Sequence, residues 1–228
     1  FQRSHTVSIS GASPQTQYFM SAGYTDQKGL SINNSYTRYT FYAKVEHKFL
    51  KDYVTAGFSL NASNQVNTGP VKGTNSISDN MYSSSRMLPN VEVYNPDDPT
   101  GFNIDPTDRK SLGKGANLRT IENTIPNAVW VLKNNRQSNT SYRLLPTANI
   151  DIRPVSWLMF RSLVGADVNM MDDAYVWKPE SGDGFGYKGL INRSSLKRQR
   201  WNFQNILTMN KSFGLHNVDA TAVAEWTN

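Results

Sequence analysis

From residue 36 onward the chain alternates. Tyr39, Phe41, Ala43 and Val45 take every second position, and Arg38, Thr40, Tyr42, Lys44 and Glu46 fill the places between. After a break at 49–52 the pattern resumes, with Val54, Ala56, Phe58, Leu60 and Ala62 set against Thr55, Gly57, Ser59, Asn61 and Ser63. Successive side chains of a strand point to opposite faces, so each segment predicts a strand with one oily and one polar side. The same period recurs downstream. Phe160, Val164, Ala166 and Val168 oppose Arg161, Gly165, Asp167 and Asn169, and Trp201, Phe203, Leu207 and Met209 oppose Arg200, Asn202, Gln204 and Thr208. In all, eight strands are predicted, over 5–10, 17–26, 36–48, 53–64, 141–151, 157–170, 197–210 and 217–226.

The connections carry as much information as the strands. Four are short (11–16, 49–52, 152–156 and 211–216), and they alternate with three longer ones at 27–35, 65–140 and 171–196. In an antiparallel up-and-down arrangement this sets all tight turns at one end and all loops at the other, the asymmetry of outer-membrane barrels. The predicted lengths also suit tilted membrane-crossing strands of about 9–11 residues better than the 5–6 usual in soluble proteins. Tyr18, Tyr24, Tyr53, Trp157, Trp201 and Trp226 fall near strand ends, where amphipathic rings settle at a membrane boundary. The expected fold is therefore all-β, an antiparallel up-and-down transmembrane β-barrel segment with long extracellular loops. A soluble β-sandwich also alternates and remains an alternative at this point. The 65–140 connection reads as a loop insertion with structure of its own. Asp79 would cap a helix over 80–88 that Pro89 halts, and Thr124 would precede a second over 126–134. Between them, residues 95–101 (Asn-Pro-Asp-Asp-Pro-Thr-Gly) are dense turn chemistry, and 111–117, with Gly113 and Gly115, reads as loosely held.

Composition narrows the functions. The mean hydropathy is −0.56, yet 11% of the 228 residues are aromatic. No window approaches the roughly 20 apolar residues of a membrane helix, a test that barrels evade because only alternate residues meet lipid. The absence of cysteine excludes a disulfide framework and thiol chemistry. The net charge of +6 is scattered apart from Lys197, Arg198 and Arg200, which gives no concentrated nucleic-acid footprint. The chain begins at Phe1 without an initiator Met or signal peptide, as expected of a processed chain or an excerpt.

No catalytic constellation stands out, and no enzyme activity is expected. His5, His47 and His216 fall at strand ends and turns, where an exposed imidazole needs no special role. Asp172, Asp173, Glu180 and Asp183 share a segment with glycines, and Asp97, Asp98, Asp105 and Asp108 form a second acidic group. Calcium is the cation such oxygen donors would take, but neither group has the D-x-[DN]-x-[DN]-G spacing, and turn acids are the plainer reading. On the polar face Arg38, Lys44, Glu46, Arg143, Arg161, Asp167 and Arg200, with Asp151 and Asp219 among others, read as a lumen wall. Tyr39, Phe41, Val45, Val54, Phe58 and Leu60 then face lipid. In the loops Tyr82, Tyr94, Phe102, Trp130, Tyr175, Trp177, Phe185 and Tyr187 are candidates for glycan or peptide binding. The competing reading is that these rings pack the loops against one another or against a partner.

The stretch His5-Thr-Val-Ser-Ile-Ser-Gly-Ala-Ser-Pro-Gln-Thr-Gln-Tyr-Phe-Met-Ser-Ala-Gly-Tyr-Thr-Asp-Gln-Lys-Gly29 resembles a hairpin of the SusC/RagA family. Arg38-Tyr39-Thr40, Pro89-Asn-Val-Glu-Val-Tyr-Asn-Pro-Asp97 and His216-Asn-Val-Asp-Ala-Thr-Ala-Val-Ala-Glu225 are similar to further elements of that family. Ala12-Ser13-Pro14 departs from it, where a second Gly and a charged pair are usual. The family comprises TonB-dependent outer-membrane transporters of Bacteroidetes. The resemblance implies a bacterial cell outer membrane location and import of oligosaccharides or peptides. It also implies a SusD-like surface lipoprotein partner and coupling to TonB through a plug, with residues 1–228 as part of a larger barrel. Plug and remaining strands lie outside this sequence. No cofactor is implied. Two other functions stay open: a self-contained eight-stranded barrel with a structural or adhesion role, and a soluble carbohydrate-binding sandwich. A closed barrel would pair 5–10 with 217–226, a wall segment would not, and a sandwich would need no detergent.

Overall fold

A computed structural model describes residues 1–50, 53–69, 84–85, 87–107, 109, 112–113, 127–180 and 183–228. Eight antiparallel strands form one sheet in chain order: β1 (Gln2–Ala12), β2 (Thr16–Lys28), β3 (Ser35–Phe49), β4 (Val54–Gly69), β5 (Arg136–Val155), β6 (Leu158–Trp177), β7 (Leu190–Phe213) and β8 (His216–Thr227). Every expected strand is present, and each is longer than its alternation indicates. The long connection shrinks accordingly from 65–140 to 70–135. Because β1 and β8 are the two edges of the sheet and do not pair, the self-contained barrel is not what this chain forms. A sandwich fails as well, since its core needs a second sheet facing the first.

Local chemistry explains the turns. The Ser13 hydroxyl accepts from the backbone N–H groups of Gln15 (3.3 Å) and Thr16 (3.0 Å), tightening the β1–β2 turn. Gly214, at φ 61°, takes the left-handed geometry of the two-residue turn between β7 and β8. Pro146 sits inside β5, where a missing N–H is normally costly. It pairs with Leu60 in an unbroken ladder to β4, while the β5–β6 ladder lapses between Leu144 and Thr147 without a change of register, so the missing N–H is taken on the β6 side.

Register then sorts the side chains. Tyr39, Phe41, Val45, Val54, Phe58 and Leu60 share one face, since Phe41 pairs with Ala62, Ala43 with Leu60, Val45 with Phe58 and Phe49 with Val54. Between its outer rows this oily face carries a single residue among Asp, Glu, Lys and Arg, namely Lys211, two positions inside Phe213 on β7. Aromatic rings mark both rows, Tyr18, Phe49, Trp157 and Phe213 by the short turns and Tyr24, Tyr39, Tyr142, Trp201 and Trp226 toward the loops. Trp201 is not at a strand end, as the sequence suggests, but midway along the lengthened β7. Gly11 is roofed by the Tyr18 ring, which lies 2.6 Å from where a β-carbon would stand. Near the short turns the Lys211 ammonium lies 4.3 Å from the centre of the Trp157 ring and 5.2 Å from that of Phe213.

The usual order of burial is reversed. On the oily face Phe58 is 45% exposed and Val164 47%, whereas Asp151 on the polar face is 5% exposed. Among the described residues the fully buried apolar side chains are Val91, Ile104, Leu112, Trp130, Val131 and Leu132, all in the connection between β4 and β5. The core therefore sits in the loop, and the sheet has none. Around that loop core, helix α1 (Ala128–Asn134) is capped by Asn127, whose side chain accepts from the Trp130 N–H. The helix thus starts two residues later than 126–134. Thr124, Pro126 and most of 80–88 and 111–117 lie outside the described residues. The expected turn at 95–101 is present: Asp98 accepts from the backbone and hydroxyl of Thr100, and Tyr94 pairs with Phe102 across it. A short helix α2 (Asp183–Gly186) tips the β6–β7 hairpin.

Candidate ligand-facing surface

Two surfaces bear chemistry: the polar face of the sheet and the loop cluster at one end of it. Alternation and register put Arg38, Lys44, Glu46, Arg143, Arg161, Asp167 and Arg200 on the same polar face, opposite the six oily residues named above. Two bidentate ion pairs run across β5 and β6. Arg161 donates from Nε to Asp151 Oδ1 at 2.7 Å and from its terminal nitrogen to Oδ2 at 2.6 Å. Arg143 grips Asp167 in the same way at 3.0 and 2.8 Å. The fork of a guanidinium matches both carboxylate oxygens, which fixes orientation as well as charge. Further side-chain hydrogen bonds link neighbouring strands: Ser59 with Thr147 (2.6 Å) between the two ion pairs, and, toward the loops, Ser141 with Asn169 (3.1 Å), Asn139 with Asp173 (2.7 Å) and Tyr36 with Gln65 (3.2 Å). None of these partnerships is readable without the register.

The loop aromatics divide. Tyr94, Phe102 and Trp130 form a tilted stack with ring centres 5.3 and 5.0 Å apart, and Lys133 lies 5.2 Å from the Phe102 ring. Their first task is internal packing, although Tyr94 remains 55% exposed. Phe185 lies under the Arg109 guanidinium at 5.9 Å, and Tyr187 is the most open of the group. Tyr175 and Trp177 are not loop residues, because β6 extends through both. Tyr82 lies outside the described residues.

Three connections lock together at this end. Asn33 of the β2–β3 connection donates to the Leu132 carbonyl at 2.8 Å, and Asn135 accepts from the Lys178 N–H at 3.3 Å. Asn127 is the hub, 2% exposed, donating to the carbonyls of Val93 (2.7 Å) and Asn103 (3.2 Å) while capping α1. An Asn directly before Ala128-Val129-Trp130-Val131-Leu132 was the available signal. Replacing Asn127 by Ala removes a cap and strips two carbonyls of a donor, a cost of about 2–4 kcal/mol to the loop. Limited proteolysis should then cut between β4 and β5 while the strands stay intact. An unchanged digestion pattern would remove Asn127 from this role.

Two of the acidic residues, Asp98 and Asp105, build turns. Asp105 accepts from the backbone and hydroxyl of Thr107, as Asp98 does from Thr100. Asp172 and Asp173 are neighbours on β6 and so point to opposite faces. Among the described residues no three His, Asp or Glu side chains are grouped to hold a metal ion. Asp108 and the side chain of Asp183 lie outside that description. His47 is hydrogen-bonded to the Thr16 hydroxyl (2.7 Å) and edge-on to Phe49.

No protein-family model and no curated protein sequence matches the chain. Solved structures do. A chain of the RagAB peptide transporter superposes with a TM-score of 0.69 at 16% identity, over 99% of this chain and 24% of its own length. The RagAB peptide importer matches in its "closed-closed" state (TM-score 0.69, 18% identity) and in its "open-open" state (0.67, 17%), over 98% of this chain in each case. At such identities the likeness shows the fold alone, an antiparallel up-and-down sheet of eight strands. This chain spans about a quarter of the length of the transporter chains it matches.

Proposed function

We propose that this chain is a wall segment of an outer-membrane β-barrel importer, with its oily face on lipid and its polar face on a water-filled passage. The observation that carries this reading is the reversed burial: eight apolar-faced strands with no core behind them, and a carboxylate, Asp151, buried on the side that bears the charges. In water such a face would be an aggregation surface; in a bilayer it is a matched one. Dimensions agree. Tyr39 and Phe49 stand ten residues apart on β3, about 33 Å along the strand and about 25 Å in height at the usual tilt, close to the apolar band of such barrels.

Transport of peptides or oligosaccharides follows from the likeness to a peptide importer and from the sequence resemblance. Peptide is the better-supported cargo. Energy from TonB through a plug, and a SusD-like lipoprotein on the loop side, complete the proposal. The locked loop cluster with Tyr94, Phe185 and Tyr187 would meet that lipoprotein or the cargo. This segment has no cysteine, so single cysteines placed in it can report each face once any cysteine elsewhere in the full-length protein is replaced by serine. In the full-length protein in membranes, cysteine at Phe58 or Leu60 should resist a water-soluble maleimide and react with a lipid-soluble one. Cysteine at Asn61 should do the reverse. Equal labelling at all three would overturn the assignment of faces.

A further inference from the structure

We infer that Lys211, Trp157 and Phe213 form a binding site for the phosphate of an anionic phospholipid, in the leaflet on the short-turn side. The inference rests on the oily face meeting lipid. Lys211 is the one formal charge on that face between its aromatic rows, and an ammonium left unpaired in hydrocarbon is costly. It stands two residues inside Phe213, about 6.6 Å along β7 and about 5 Å in height at the usual tilt. Its stem turns back toward the row, where the ammonium lies 4.3 Å from the centre of the Trp157 ring and 5.2 Å from that of Phe213. The rings therefore hold the cation at the depth of the headgroups, the level at which such aromatic rows settle. They attract it without neutralising it. Among the described residues Lys211 makes no hydrogen bond and no ion pair, so its N–H donors are left for an anion.

The wall itself supplies no such anion. At this level β7 is flanked on both sides: the Asn210 N–H donates to the Trp157 carbonyl at 2.8 Å, and Lys211 pairs with Val218 of β8. A strand beyond β8 would lie about 10 Å from β7, on the side from which the ammonium turns away. The carboxylates Glu46, Asp151 and Asp219, at this end of the strands, are on the polar face. His47 and His216, which share the oily row with Lys211, bring no negative charge. Bilayer phosphates stand at the depth to which Trp157 and Phe213 draw the ammonium. Phosphatidylglycerol brings a net negative charge there, whereas the phosphate of phosphatidylcholine carries its own quaternary ammonium. The site therefore selects the anionic lipid.

The test uses the full-length protein in neutral detergent micelles, its other cysteines replaced by serine, with Val218→Cys carrying a bimane fluorophore beside Lys211. Phosphatidylglycerol or phosphatidylcholine with a nitroxide high on one acyl chain is titrated in, and quenching reports occupancy. Half-quenching should need about fivefold less phosphatidylglycerol, the order of one lysine at an anionic lipid surface. Lys211→Gln should abolish this preference, Trp157→Leu should weaken it, and Lys211→Arg, a gentler change, should keep it. Excess inorganic phosphate at matched ionic strength should leave the quenching unchanged. If it competes, the site takes a soluble anion and the lipid assignment falls. Equal quenching by both lipids, or a preference that survives Lys211→Gln, removes this inference and leaves the importer reading intact. Quenching by neither lipid is the mark of a protein-covered face, and removes the lipid-facing wall together with the inference.

Discussion

An arginine at Leu60 is expected to destabilise the membrane-inserted protein by about 2–4 kcal/mol, while a lysine at the adjacent Asn61 should cost less than about 0.5 kcal/mol. Leu60 lies midway along the oily face, beside Ala43 and Pro146, where no formal charge occurs in any strand. The penalty should fade toward the aromatic rows, so that arginine at Tyr39 costs only about 0–1 kcal/mol. That depth profile separates lipid from protein as the neighbour of this face. A packed protein core would punish Tyr39 and Leu60 alike, because a buried charge there has no nearby water layer to reach. Equilibrium unfolding of the full-length protein from phospholipid vesicles measures all three variants. Equal losses at 39 and 60 would place the face against protein instead.

The part of the fold that was legible in the sequence is the part where the two faces meet different surroundings. Phe41 against Tyr42 and Lys44, or Leu207 against Thr208, announces a strand because one neighbour is apolar and the other polar. Beyond the upper aromatic row this contrast disappears. Along β7, Arg193, Ser195 and Lys197 lie on one face and Asn192, Ser194 and Leu196 on the other, both of them mainly polar. A period-two argument has nothing to work on there, so alternation alone ends β6 near Met170 and leaves Tyr175 and Trp177 among the loop residues. The excess length projects past the upper aromatic row. The loop core was hidden for another reason. Val91, Ile104 and Leu112 are single apolar residues spaced too widely for any local period, and they meet only through the turn at 95–101 and the hub at Asn127. On the polar face, alternation gave the correct side for Asp151, Arg161 and Asp167. Which carboxylate holds which guanidinium depends on register, and that follows the irregularity between Ile152 and Val155 beside Pro154.

That register makes two chemically identical ion pairs unequal. Arg161 stands directly opposite Asp151, whose side chain is only 6% exposed, and Asn149 adds a further hydrogen bond to the same carboxylate at 3.2 Å. Arg143 reaches Asp167 diagonally, with their side chains 51% and 34% exposed. Removing Arg161, as in Arg161→Met, leaves a buried carboxylate with one neutral donor. Breaking a buried pair costs about 3–5 kcal/mol, reduced here to about 2–3 because Arg161 itself is partly in water. Arg143→Met leaves a carboxylate that water can reach and should cost about 0–1 kcal/mol. Replacing both partners separates the contact from the burial penalty: Asp151→Asn with Arg161→Met should recover most of the loss, since no unpaired charge remains. Denaturant midpoints of the folded full-length variants decide the matter. If Arg161→Met and Arg143→Met prove equally mild, Asp151 is solvated from the passage, and the tight side of this sheet is wetter than its packing implies.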